Sequence, residues 1–290
     1  MKNIKVTNCR VTTCCNGLKL GTSSEGGFEN IEFSNCEIVS NTSNIAERVV
    51  AGIALEVVDG GWIDGVKISG IRMQQTRSPI FIRLENRKRM HDYPQHGIRG
   101  VTIENIQAAG ALLASSITGL PDDRVGDVTL SNISVENVLL TRMELMSPEV
   151  PEKDHAYPEA RMFGILPASG LYVRHAGGLR MDHVTFNARS EEERPTIVLD
   201  DVNGARISAL TSTSVRGSMP IVSLTNARNV TISGSTAPTG TSAFVAVNGS
   251  GSANVVLNGN DLHAARRPFT LSNGAPHDAV VVNASGSPQS

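Results

Sequence analysis

The sequence carries no excess charge of either sign: 26 Lys and Arg stand against 28 Asp and Glu, a net charge of −2 over 290 residues. That balance removes the electrostatic case for nucleic acid or an anionic membrane surface as the main partner. The two signs are mixed along the chain, apart from a basic run from Arg83 to His91. No apolar stretch approaches the length of a membrane span, so no membrane partner is expected. No ten-residue stretch carries a 3.6-residue apolar stripe, which argues against helical repeats such as the leucine-rich repeat. Cysteine is confined to the first 36 residues. Cys9 and Cys36 occupy the same place in a repeated phrase and are expected to be stacked core residues. Cys14 and Cys15 have neither metal-ligand spacing nor an evident base. His91, His96 and His155 also lack ligand spacing, so neither a metal nor any other cofactor is expected. An export signal, basic then apolar, is missing from the first residues.

What the sequence does have is a recurring phrase. Asn3-Ile-Lys-Val-Thr-Asn-Cys-Arg-Val11 returns at Asn30–Ile38, Gly65–Met73, Gly100–Ala108 and Asp127–Val135, at steps of 27, 35, 35 and 27 residues. Weaker copies begin near Gly178, Gly204, Arg228 and Ala253, after steps of 51, 26, 24 and 25. Within each copy apolar and polar residues alternate, the period of a strand. Between its two short strands stands Asn8, repeated as Asn35, Asn105 and Asn132, a residue that tolerates the left-handed conformation of a sharp bend. A second strand series interleaves with the first: Gly17–Leu20, Gly52–Glu56, Pro79–Glu85, Gly170–His175, Thr196–Asp200, Pro220–Leu224, Ala243–Val247 and Pro268–Leu271.

A base period of roughly 25 residues with three strands predicts an all-β fold, a single-stranded right-handed parallel β-helix of about nine to ten turns. The whole of 1–290 is expected to form one domain, interrupted by a long loop insertion at 141–169 and ending in a loose tail at 275–290. The repeat starts at residue 3 with no cap before it. The chain is therefore expected to be the carboxy-terminal part of something longer, or to self-associate through that uncapped first turn.

Matching Gly52 with Pro79 sets Glu56 level with Arg83, and the equivalent match sets Arg174 level with Asp200. Rungs about 4.8 Å apart make both couples expected ion pairs, each worth about 0–1 kcal/mol if the face is merely solvated. Three features point further. Glu56-Val-Val-Asp59 concentrates two carboxylates at a strand end, and Gly60-Gly61 allows a close backbone turn beneath a ligand. Arg83, Arg87 and His91 fall in one cationic cluster, suited to carboxylated sugars. The insertion carries Tyr157 and Glu159 and leads into Tyr172, Arg174 and His175; long loops on a regular scaffold are usually functional. His175 is either a general acid/base or a residue that hydrogen-bonds a loop.

The runs Asn16–Ile31, Gly52–Gly61 and Pro79–Arg87, with Tyr157–Gly164 and Gly170–His175, resemble glycoside hydrolase family 28, the polygalacturonases, in its bacterial branch. The resemblance covers roughly residues 1–205 and implies a pectin-lyase-like solenoid that hydrolyses pectic glycans with inversion. It also implies extracellular or periplasmic placement. The family's Asn-Thr-Asp and Asp-Asp motifs would precede the matching segment. Its Gly-His-Gly falls on Cys14–Gly17 and its Arg-Ile-Lys on Ala54-Leu55-Glu56, so no catalytic residue carries over. In an active, divergent form Glu56 and Asp59 are the expected acid/base pair. Lys19, Arg83, Arg87, His91, Tyr157, Glu159, Tyr172, Arg174 and His175 would hold a uronate or its neighbours. The expected partner is thus an acidic, pectic polysaccharide. The alternatives are a non-catalytic carbohydrate-binding β-helix and a structural spike or adhesin β-helix, which would trimerise.

Overall fold

An aliphatic residue at every second position gives each repeated phrase one face that must leave water, and copies stacked in register bury it continuously. The computed structural model describes residues 1–87, 96–138, 149–213 and 215–283. They form an all-β structure with one 3-10 turn, Ile45–Glu47, and no α-helix. Every named strand pair is parallel, and partners lie a full repeat apart in sequence.

Three ladders run along the stack. In the first, Val6, Phe33, Ile68, Ile103, Leu130, Met181, Ile207, Ile232, Leu257 and Val282 are successive register partners. The second ladder runs Val11, Ile38, Met73, Ala108, Val135 and Phe186. The third runs Leu20, Leu55, Ile82, Ile117, Val173, Leu199, Leu224, Val247 and Leu271. Together these side chains, apart from the exposed Val282, make one continuous core. Each fully buried member contributes about 1.5–3 kcal/mol of transfer free energy.

The bends sit where the repeated asparagine predicts. Asn8, Asn35, Asn105 and Asn132 have φ of 58°, 54°, 57° and 51°, and Gly70 takes the same place at 68°. An earlier bend at Asn3, Asn30, Gly65 and Gly100 is also left-handed. Its amides bond rung to rung, as from Asn30 Nδ2 to Asn3 Oδ1 at 2.7 Å. Cys36 is buried, with Cys9 packed against the same core.

One expectation is corrected and one rung is added. The tail expected to be loose from Ala275 adds another rung, Val280–Asn283, paired with Ala253–Asn258. The third ladder also has a rung at Ser115–Thr118, between Ser78–Leu84 and the strand beginning at Leu171.

The described part of the insertion, 149–169, lies over the third ladder. Val50, Ala54, Phe81, Tyr172 and Val198 face away from the main core and pack instead against Ala160, Phe163, Leu166 and Ala168, a second apolar cluster. This explains why the strand carrying Pro79-Ile-Phe-Ile82 lacks alternation: Ser78–Leu84 is buried on both faces.

Candidate functional site

Two residues beyond Ala54, Phe81 and Tyr172, the outward face of the third ladder turns polar. Glu56, Arg83, Thr118, Arg174, Asp200, Thr225, Asn248 and Ser272 are consecutive register partners. The expected alignments of Glu56 with Arg83 and of Arg174 with Asp200 are therefore present. The insertion divides this strip into a covered part and an open part.

In the covered part, Glu56 is 0% exposed and Arg83 1%. The expected Glu56–Arg83 ion pair is replaced by two others. Arg83 Nε bonds Glu85 Oε1 at 2.6 Å, and its other nitrogens donate to Gly119 O at 3.2 Å and Glu152 O at 2.5 Å. The guanidinium also lies 5.2 Å from the Phe163 ring centroid. Glu56 Oε2 accepts from Lys19 Nζ at 2.8 Å and Thr22 Oγ1 at 2.7 Å. Gly21 makes that approach feasible: a Cβ there would stand 2.2 Å from the Glu56 carbonyl oxygen. Asp59 is clamped by Arg87 through two bonds of 3.1 and 2.7 Å. Gly61, expected to leave room for a ligand, packs on the neighbouring pass, where a Cβ would meet Gly26 O at 2.3 Å. Tyr157 is 64% exposed, with Lys19 Nζ 5.8 Å from its ring centroid, and Glu159 pairs with Arg161 at 2.6 Å. His91 lies outside the described residues.

Among the described residues nothing supplies a hydrogen-bond partner to Glu56 Oε1, Glu85 Oε2 or Thr118 Oγ1, all buried. Burial pushes the Glu56 and Glu85 carboxyls up; Lys19 and Thr22 oppose this at Glu56, and Arg83 opposes it at Glu85. A carboxyl raised by folding stabilises the fold while protonated, and that contribution is lost as pH rises through the raised value. The carboxylates held low, Glu29 and Glu32 through their lysine partners and Asp182 through Ser208, act in a separate window, below their ordinary values. Thermal stability should therefore increase as pH falls from neutral toward about 5, and Glu56→Gln should flatten that profile. Melting curves that fall monotonically over this range, or that do not change with Glu56→Gln, would contradict the assignment.

In the open part, a cavity of about 560 Å³ lies between the insertion and the strands Leu171–Ala188, Ile197–Ser208 and Val222–Thr225. Tyr172, Arg174, Asp200, Glu152 and Thr225 are in its lining. One guanidinium pairs with both carboxylates: Arg174 Nη2 is 2.6 Å from Glu152 Oε1, and Nε is 3.2 Å from Asp200 Oδ2, an ion pair without hydrogen-bond geometry. The Arg174–Asp200 pair expected from the repeat is thus present. Tyr172 Oη donates to Asp200 Oδ2 at 3.2 Å. Burial pushes the Asp200 carboxyl up, against the pull of Arg174 and Tyr172. His175 bridges Asp201 Oδ2 at 2.7 Å and Glu152 Oε1 at 3.1 Å, and Arg124 Nη2 donates to the same Asp201 Oδ2 at 2.6 Å.

The chain matches no family model and no curated protein. The site therefore rests on its own geometry. Of the residues expected from sequence, Tyr172 and Arg174 line the open cavity and His175 stands behind them. Lys19, Glu56, Asp59, Arg83 and Arg87 form the separate, covered cluster. Glu152, Asp201 and Arg124 were not expected at all. Glu152 belongs to no repeat, so no register argument places it; the doublet Asp200-Asp201 closing the aliphatic run Ile197–Leu199 was the available signal for Asp201.

Proposed function

We propose that the chain winds as a right-handed parallel β-helix of nine to ten turns and acts on acidic, pectic glycans as a polygalacturonase-type glycoside hydrolase. The observation that supports this reading is the open cavity. It joins an aromatic hydroxyl, an arginine suited to a uronate carboxylate and two carboxylates of unlike environment. Inverting hydrolysis needs one carboxyl that keeps its proton and one that stays ionised. Asp200, raised by burial, suits the acid: its proton goes to the glycosidic oxygen as the anomeric C–O bond breaks. Glu152, held by Arg174 and His175, suits the base: it takes a proton from the water whose oxygen bonds the anomeric carbon. Glu56 and Asp59 serve this role less well, because both are buried and neither lines the open cavity.

That same burial favours a second reading, a carbohydrate-binding β-helix without catalysis. Calorimetry and reducing-end assays with trigalacturonate separate the two. Arg174→Gln should weaken binding about tenfold or more, the worth of a charge-assisted contact. Asp200→Asn should abolish reducing-end release while leaving binding. Binding by the wild type without release selects the second reading; absence of binding rejects both.

A further inference from the structure

The first ladder has its own outward row, one residue before the aliphatic positions: Lys5, Glu32, Lys67, Thr102, Thr129, Arg180, Arg206, Thr231 and Val256. Near its beginning, cations are neutralised from adjacent rungs. Lys2 meets Glu29 at 2.7 Å, Lys5 meets Glu32 at 3.0 Å, Lys67 meets Glu104 at 3.0 Å and Arg99 meets Asp64 at 2.9 Å. Arg180 and Arg206 break the pattern. They are direct register partners, both exposed, and among the described residues neither makes an ion pair or hydrogen bond. The nearest carboxylate along the strand, Asp182, is held by Ser208 and His183.

Like charges directly opposite one another in a sheet are destabilising. Their backbone positions are one rung apart, about 4.8 Å, so the two guanidiniums can reach one anion between them. They border a concavity of about 420 Å³ whose lining continues to Thr231, Asn229 and Asn254. The asparagines form a chain of amides, Asn254 Nδ2 to Asn229 Oδ1 at 3.0 Å and Asn229 Nδ2 to Asn203 Oδ1 at 2.8 Å. That chain leaves the Asn254 amide oxygen as an acceptor at its end. A cationic pair followed by hydroxyl and amide groups over the next two rungs fits an anion attached to a hydroxylated body better than a lone ion.

We propose that Arg180 and Arg206 form a binding site for the oxyanion of a carboxylated glycan, with the sugar hydroxyls directed to Thr231 and Asn254. The site lies on a different ladder from the Tyr172–Asp200 cavity and does not depend on catalysis there, but its choice of a carboxylated glycan rests on the function proposed above.

The test uses the full chain carrying Arg174→Gln, which weakens the other cavity, with and without Arg180→Gln/Arg206→Gln. Calorimetry is run with trigalacturonate, a neutral trisaccharide and inorganic phosphate. Trigalacturonate affinity should fall at least tenfold with the double replacement; the neutral sugar should not bind, and phosphate should bind at least tenfold more weakly than the uronide. Because the pair repels itself, the double replacement should leave the melting temperature unchanged or raise it in low salt. The proposal is overturned if the double replacement leaves trigalacturonate affinity unchanged, if the Arg174→Gln protein does not bind it, if phosphate binds as tightly, or if the double replacement lowers the melting temperature. Failure of the cavity reading shows separately, as an Arg174→Gln protein that binds no more weakly than the wild type.

Discussion

Replacing Arg83 with alanine should destabilise the protein by about 3–5 kcal/mol, the cost of leaving a buried ion unpaired. Its partner Glu85 is fully buried, and no other cation bonds it among the described residues. The same guanidinium ties the insertion to the sheet, through Glu152 O and against the Phe163 ring. Loss of Arg83 should therefore also open the 149–169 segment to limited proteolysis before the sheet unfolds. Arg83→Met combined with Glu85→Leu removes both charges and should recover most of the stability, since a buried pair replaced by apolar groups is often close to neutral. Urea denaturation of the three proteins checks the order. A single replacement costing under about 1 kcal/mol would mean that the pair is solvated.

Replacing Ile68 with alanine should cost about 2–5 kcal/mol, through lost transfer free energy and a cavity that the sheet cannot close. Ile68 is fully buried and held between Phe33 and Ile103 on the adjoining rungs. Backbone pairing on both sides prevents those rungs from closing in. Lys67→Ala, one residue away on the solvated face, loses only an exposed ion pair with Glu104 and should change stability by under about 1 kcal/mol. The contrast reads the alternation of the strand directly.

The sequence reveals the ladders because each rung repeats the same few residue types at the same offsets. Asn8, Asn35, Asn105 and Asn132 mark bends that any register argument can count, and all four take positive φ. Ser115–Thr118 escaped because Ser-Ser-Ile-Thr carries a single aliphatic residue, Ile117, which is too little to show a period. Val280–Asn283 escaped for a different reason: Gly, Pro and Ser around it have the composition of a loose tail, and pairing with Ala253–Asn258 outweighs that local preference. The candidate site was half legible. Register alone places Arg174 opposite Asp200. It cannot say that Arg83 turns to Glu85, two residues along its own strand, because that choice is made by the insertion that covers it. Segments with no repeat leave no offset to count, so Glu152 could be found only in three dimensions. Continuous apolar character in Pro79-Ile-Phe-Ile82 was the one sequence sign that something lay over that face.

The stacking of passes in register carries all of these assignments, and a double-mutant cycle between Ile68 and Ile103 measures it most directly. The two are 35 residues apart in sequence and are register partners in the core. Their alanine replacements should be non-additive by about 0.5–3 kcal/mol in urea denaturation, whereas Ile68 with the distant Ile232 should be additive within about 0.5 kcal/mol. Additivity for Ile68 with Ile103 would mean that the two strands do not adjoin, and would contradict the stack.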